Sequence, residues 1–155
     1  MKSTSYTLAF AFTSAVSFIF LFLAVGMVPY WQELSGVDIQ SWWSDPFTNF
    51  PPIMVPIHLI SIFAMIYAFA KHRKGGPSRR SWWIVSLISL LACQVINFTL
   101  HGAVFNPALQ SGSLSAAEAL ETFDEWVFYH NIRTVFACIS LTALIVIGSS
   151  KDSTS

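Results

Sequence analysis

The sequence predicts an all-α integral membrane protein, a four-helix bundle of antiparallel transmembrane helices. Of its 155 residues, 54% are apolar and only 10% are charged, and the mean hydropathy is +0.59. A soluble domain has about 25% charged residues. Four apolar runs are each long enough to cross the hydrocarbon core. The short connections between them favour antiparallel neighbours. We expect a single transmembrane domain over residues 1–155.

The first helix is predicted at about residues 6–29, before the interface pair Tyr30-Trp31. This run is too long for the apolar region of a signal peptide, and no small-x-small cleavage motif closes it. The segment from Gln32 to Asn49 is predicted to be a polar loop. We expect its Trp42-Trp43 pair to lie at the level of the lipid headgroups.

The second and third helices are predicted on either side of a basic hairpin. The second, at about residues 51–70, begins with two prolines, which a first helical turn tolerates. The hairpin runs from Lys71 to Arg80 with Gly and Pro at its tip, and we expect His72 to lie on its surface. The third helix, at about residues 81–103, leads to a predicted loop from Asn106 to Gly112.

The fourth helix is predicted at about residues 116–148. Ser115 and Glu118 match the capping-box pattern that begins many helices. Its first turns are acidic and the helix becomes apolar at Trp126. It is therefore expected to rise one or two turns above the membrane.

The distribution of charge predicts the orientation. Lys2, the basic hairpin and Lys151 fall on one side of the membrane, and the acidic loops on the other. The positive-inside rule then places both termini in the cytosol. The membrane is either a bacterial inner membrane or a eukaryotic endomembrane. Among partners, we expect the lipid bilayer and no nucleic acid, and oligomerisation is left open.

The remaining sequence features narrow the class. No glycine-rich nucleotide-binding motif and no internal repeat is present. Cys93 and Cys138 lie inside apolar runs, so we interpret both as small core residues and not as disulfide partners.

Polar side chains lie at similar depth in the second and third helices. His58 is about seven residues inside the outer end of the second helix. Gln94, Asn97 and His101 are spaced i, i+3 and i+7 and form one stripe on the third helix. At a rise of about 1.5 Å per residue, both sets fall in the outer third of the bundle.

The fourth helix contributes to the same level. Trp126, His130 and Arg133 are spaced i, i+4 and i+7 and share one face. A charged residue inside a spanning helix costs about 2.5–3.5 kcal/mol on insertion scales, so such residues face the bundle interior or a wet cavity. We predict one polar pocket, open to the non-cytosolic side, with His58, Asn97, His101, His130 and Arg133 as its catalytic candidates.

Several chemistries fit these residue types. His58, His101 and His130 are the ligand set predicted for a transition-metal ion, Cu or Fe, with an open position. Two histidines are enough to ligate a haem. Without a metal, a neutral histidine serves as a general base while Arg133 and Asn97 stabilise an anion. Purely structural roles are the alternative. The histidines and Asn97 would then form hydrogen bonds between helices, and the Arg133 side chain would extend to the lipid headgroups.

The third and fourth helices carry a resemblance to a known family. The features are Asn97-Phe98-Thr99-Leu100-His101, then Trp126 and Asn131-Ile132-Arg133-Thr134. They resemble the small four-helix membrane proteins of the anthrone oxygenase-like (DUF1772) family. The family pattern has a second Asn where this chain has His101. Gln94, Trp126 and Asn131 are the residues that we expect to contact the substrate.

The resemblance implies a membrane oxygenase that uses O₂ on an apolar phenolic or polyketide-like substrate, as in the oxidation of anthrones to anthraquinones. Two other functions fit the residues: a haem- or metal-binding electron-transfer protein, and a non-catalytic membrane subunit that binds a small molecule. The sequence does not decide between a metal-bound and a metal-free site.

Overall fold

The computed structural model describes residues 3–45, 51–72 and 76–150. Within these ranges the chain is helical and has no strand. We number the helices as follows: α1, Thr4–Trp31; α2, Gly36–Ser44; α3, Pro51–His72; α4, Pro77–Gln110; and α5, Ala116–Ser149. Four of them, α1, α3, α4 and α5, are long and apolar enough to cross a membrane. The predicted all-α, four-span architecture is confirmed.

Contacts between the ends of the helices show that neighbouring spans run antiparallel. The Tyr6 hydroxyl on α1 donates to the carbonyl of Leu144 on α5, at 2.9 Å. His72, the last residue of α3, has its Nε2 2.7 Å from the Ser3 hydroxyl. The start of α1 therefore lies beside the ends of α3 and α5. Which side of the membrane this end faces stays a prediction, and Lys2, Lys151 and residues 73–75 of the hairpin lie outside the described residues.

The prediction that His72 lies on the surface is wrong. Its ring stacks on Trp83 at 5.6 Å between centroids with an interplanar angle of 4°, and its Nε2 also contacts Ser5. Helix α3 continues two residues beyond its predicted end, which brings His72 between α1 and α4.

The segment predicted as a polar loop contains α2. The Ser35 hydroxyl accepts a hydrogen bond from the Asp38 amide and caps the helix. The Gln40 side chain donates to the Leu114 carbonyl at 2.9 Å and accepts from its amide at 3.2 Å, which ties α2 to the segment before α5. Trp43 is buried against Trp31. The level of the Trp42-Trp43 pair relative to the lipid headgroups stays a prediction. Helix α2 covers the end of the bundle where α5 begins, opposite the start of α1.

Two spans contain wide π-helical segments, Leu23–Met27 in α1 and Asn97–Phe105 in α4. Helix α4 therefore does not end near residue 103: it passes through its π segment and resumes as Asn106–Gln110. The predicted loop begins only after Gln110, where Gly112 adopts a φ of 64°. The wide turn leaves room for Pro107, whose ring cannot donate to the preceding turn.

Helix α5 is the central span. The predicted capping box is present, with Ser115 and Glu118 bonded reciprocally. One face is buried at alternating spacings of four and three residues, which keeps a single seam inside the bundle. This seam consists of Ala119, Phe123, Trp126, His130, Arg133, Ala137, Ser140, Leu144 and Ile147.

The inner half of the bundle is held by small polar residues. The hydroxyls of Ser86 on α4 and Ser140 on α5 each donate to the other residue's carbonyl, at 2.9 and 2.8 Å. The Ser17 hydroxyl on α1 donates to the Ala137 carbonyl at 3.0 Å. Small residues with such bonds are typical of close helix packing in membranes. Cys93 and Cys138 are both free, as predicted.

The contact between α2 and α5 gives a stability prediction. A Cβ atom added at Gly36 would collide with the backbone carbonyl of Ala116, and backbone cannot move aside as a side chain can. Gly36→Ala should destabilise the protein by about 1–3 kcal/mol, the usual cost of overpacking. Unfolding of the purified protein in mixed micelles measures it.

Gly26→Ala is the matched control, because a Cβ there meets only ring carbons of Phe22, at 3.6 and 3.7 Å. Equal stability of the two variants would contradict the close approach of α2 to α5.

Candidate functional site

The site is built around Arg133. Its side chain is buried inside the bundle at 4% exposure. Its Nε and Nη2 donate to Nδ1 of His130, at 3.2 and 2.8 Å, and its Nη1 donates to Oδ1 of Asn97. Among the described residues, Arg133 forms no salt bridge with a carboxylate. The guanidinium is thus a buried cation held by neutral groups.

Aromatic rings surround the same guanidinium. Its central carbon lies 4.5 Å from the ring centroid of Phe20 and 5.4 Å from that of Trp126. Cations at such distances from ring faces are stabilised by about 0.5–2 kcal/mol. The rings therefore offset part of the cost of burying the charge.

His130 supports Arg133 and is fully engaged. Its Nε2 lies 3.1 Å from the Phe20 carbonyl, which can only accept, so Nε2 carries the hydrogen. The lone pair on Nδ1 then accepts from Arg133. The ring also stacks on Trp126 at 4.8 Å with an interplanar angle of 5°. His130 links α1 to α5 and has no free nitrogen for a substrate.

His101 is also committed to a contact between helices. Its Nε2 lies 3.1 Å from the carbonyl of Trp126, and its Nδ1 lies 3.5 Å from the carbonyl of Ile96. The side chain is buried between α4 and α5. His101 and His130 therefore have the structural role that the sequence left open, since both form hydrogen bonds between helices.

His58 differs from the other two histidines. It is buried on α3 and stacks on Phe20 at 5.3 Å, but its Nδ1 has no hydrogen-bond partner. Gln94 faces this ring from α4, and neither atom of its amide has a partner of normal geometry. Of the three histidines, His58 is the one that lines the cavity described below.

The three histidines do not converge on one point. The Phe20 ring lies between His58 and His130, with centroid distances of 5.3 and 5.8 Å. Across residues 3–45, 51–72 and 76–150, no group of three or more His, Cys, Asp or Glu side chains is arranged to hold a metal ion. The predicted ligand set of His58, His101 and His130 does not fit a metal centre in this geometry. A bound metal stays a prediction.

A cavity of about 290 Å³ opens beside Arg133. This volume is near the lower end of ligand pockets, which range over about 300–1,000 Å³. Most of the wall is aromatic or aliphatic. The polar lining residues are His58, Asn97, Asn106, Gln110 and Arg133, and the aromatic ones are Phe18, Phe20, Phe22, Trp31, Trp42, Trp43, Phe98 and Trp126. The cavity suits one small, flat, apolar molecule.

Both π-helical segments contribute to this wall: Leu23 and Met27 from α1, and Asn97, Phe98 and Gly102 from α4. Wide turns of this kind occur frequently at functional sites.

Sequence reasoning missed Asn106. Its Oδ1 accepts from the indole N–H of Trp126 at 2.9 Å and of Trp43 at 3.4 Å. Nine residues separate it from Asn97, which is about two turns of a π-helix at roughly 4.4 residues per turn. In an α-helix of 3.6 residues per turn, nine residues place a side chain on the opposite face. No periodicity in the sequence indicates the wider turn.

The predicted site residues divide into three groups. His58, Asn97, Trp126 and Arg133 line the cavity. Gln94, His101 and His130 are buried behind this wall. Asn131 is exposed, because it lies two residues before Arg133 and so about 200° around the helix. The structure does not bring Asn131 to the cavity where we expected a substrate contact.

The fold and the site define a small four-helix membrane protein with a buried cation beside an apolar cavity. The family model described as Anthrone oxygenase matches residues 41–143, which is more than half of the chain. The chain therefore belongs to the anthrone oxygenase family, as the resemblance predicted. No curated protein and no solved structure matches the chain.

The different contacts of the histidines give a testable difference in stability. His130→Leu leaves Arg133 and the Phe20 carbonyl without their partner, so it should cost about 2–4 kcal/mol. His58→Leu replaces a ring whose Nδ1 is unpaired, so it should cost less than about 1 kcal/mol. Unfolding of both variants in mixed micelles measures the two values. A larger loss for His58→Leu would show that the assignment of roles is wrong.

Proposed function

We propose that this protein is a membrane-embedded oxygenase that oxidises a flat, apolar, anthrone-type or phenolic substrate with O₂. The observation that supports this function is Arg133, a buried cation without a carboxylate partner among the described residues, at the wall of an apolar cavity. Such a site favours an anion that forms on an otherwise apolar molecule. The enolate or phenolate oxygen of an aromatic substrate is such an anion.

Arg133 and Asn97 hold the oxyanion in this proposal. A guanidinium has five N–H donors. Three hydrogen bonds, to His130 and Asn97, use three of them, so two remain for a ligand. Because Oδ1 of Asn97 accepts from Arg133, the amide nitrogen of Asn97 is free to donate as well.

His58 removes the proton. A neutral histidine is an effective general base near neutral pH. His101 and His130 are engaged by backbone carbonyls and Arg133, whereas His58 lines the cavity and its buried Nδ1 has no hydrogen-bond partner among the described residues. His58 takes the proton from the activated CH₂ group, and the electron pair of the C–H bond becomes the enolate.

The oxidation balances with O₂ alone. The enolate carbon transfers electrons to O₂ and forms a C–O bond, and the proton held by His58 completes a hydroperoxide. Loss of the remaining C–H proton breaks the O–O bond and leaves a carbonyl. One oxygen atom stays in the product and the other leaves as water. The CH₂ group supplies all the electrons, so no external reductant is needed.

The bilayer delivers the substrate. Phe18, Phe22 and Val55 line the cavity and are also exposed on the apolar flank of the bundle. With both termini in the cytosol, the cavity lies nearer the non-cytosolic side of the membrane.

This mechanism predicts the effects of two substitutions. His58→Ala removes the base and should lower kcat about 10²–10⁴-fold. Arg133→Gln removes the charge that stabilises the enolate and should lower kcat about 10²–10³-fold, the usual cost of losing an oxyanion donor. Protein in lipid nanodiscs is given anthrone, and O₂ consumption and anthraquinone formation are followed together.

Asn131→Ala is the matched control, since Asn131 lies on the same helix as Arg133 but is exposed away from the cavity. Its activity should stay within about twofold of the wild type. Unchanged activity in His58→Ala would contradict the role of His58. Elemental analysis of the same samples separates the mechanisms: one Cu or Fe per chain, lost in His58→Ala, would favour the metal-bound alternative.

A further inference from the structure

We propose that Asn106 recognises a second oxygen on the substrate, so that the cavity selects aromatic molecules with one acidic oxygen at the inner end and an oxygen acceptor at the outer end. This inference rests on the proposed function, because the inner oxygen is the one that Arg133 and Asn97 bind. Asn106 has no role in the proposed mechanism.

The orientation of the Asn106 amide follows from its neighbours. An indole N–H is only a donor, so the atom that it contacts is the oxygen of the amide. Two indoles, from Trp43 and Trp126, bond this one oxygen. The amide cannot flip without losing both bonds. Its Nδ2 is therefore directed away from the indole nitrogens.

This Nδ2 has no hydrogen-bond partner among the described residues, and Asn106 lines the cavity. The Asn97 oxygen likewise accepts a hydrogen bond, from Arg133, and its Nδ2 has no partner within residues 3–45, 51–72 and 76–150. The π-helical segment places both residues on one side of α4. The cavity thus has two amide N–H donors, from Asn97 and Asn106, and the oxygen of each amide is already bonded to other side chains.

The space between the two donors suits a ring system. Nine residues correspond to roughly 10–13 Å along the axis, at 1.5 Å per residue or somewhat less in a π-helix. Gly102 lies between them on the cavity wall and has no side chain. Phe98 and Trp126 complete this part of the wall. Two or three fused aromatic rings with an oxygen at each end span this length.

The chemistry differs at the two ends. At the inner end the cation Arg133 favours an oxygen that ionises. At the outer end Asn106 is a neutral donor, so it favours a carbonyl, ether or hydroxyl oxygen that stays neutral. A ligand with a single oxygen leaves the Asn106 donor unpaired, which costs binding free energy.

Two naphthols that differ in one oxygen test this inference. In 6-acetyl-2-naphthol a carbonyl lies opposite the acidic hydroxyl, and in 6-isopropyl-2-naphthol an alkyl group of similar shape replaces it. Both are titrated into the full-length protein in nanodiscs, and quenching of tryptophan fluorescence gives each Kd. The wild type should bind the acetyl compound about three- to tenfold more tightly, the usual value of one hydrogen bond.

Asn106→Asp provides the matched variant, because a carboxylate still accepts from both indoles but no longer donates. The preference for the acetyl compound should fall at least threefold in this variant. A wild-type preference of one or less would overturn the inference, and this result requires no variant. An equal preference in the wild type and Asn106→Asp would also overturn it, since the carbonyl would then be recognised elsewhere.

Arg133→Gln distinguishes failure of this inference from failure of the proposed function. If both hold, this variant weakens both naphthols by a similar factor and keeps the preference between them. If only the anion site is wrong, Arg133→Gln leaves both affinities unchanged while Asn106→Asp still removes the preference. Absence of binding of both naphthols to the wild type would contradict both proposals.

Discussion

The burial of Arg133 is the constraint on which the rest of the structure depends. Arg133 donates hydrogen bonds to His130 and Asn97, and no carboxylate among the described residues pairs with it. His130 in turn donates to the Phe20 carbonyl. Three helices, α1, α4 and α5, thereby meet at one cation. Loss of any partner would leave a charge or a carbonyl unpaired in a medium without water. The same cluster forms the polar end of the cavity, so stability and binding share one network.

Depth and hydropathy predicted much of this arrangement. The four spans, the capping box at Ser115 and the common level of the polar residues are present in the structure. Depth alone could not assign roles to the histidines, because these depend on which backbone carbonyl each ring meets. Helix α2 was missed because its apolar residues are few, and Asn106 because a π-helical segment departs from the period of 3.6 residues. The expectation for Asn131 was wrong because two residues that are close in sequence can point to opposite sides of a helix, as Asn131 and Arg133 do.

The histidines therefore divide between support and chemistry. His101 and His130 join helices through carbonyls, whereas His58 lines the cavity and its buried Nδ1 has no hydrogen-bond partner among the described residues. The three histidines therefore lie at one depth without converging on one point among the described residues. In the proposed mechanism, Arg133 and Asn97 hold the enolate and His58 removes the proton.

The central claim is that Arg133 stabilises the anion of a bound aromatic substrate. Its most direct test is the absorption spectrum of anthrone bound to the protein in nanodiscs at neutral pH without O₂. Without an oxidant the reaction stops at the enolate, whose absorption differs from that of the neutral ketone. The account predicts the enolate spectrum in the wild type and the neutral spectrum in Arg133→Gln. A neutral spectrum for anthrone bound to the wild type would contradict it.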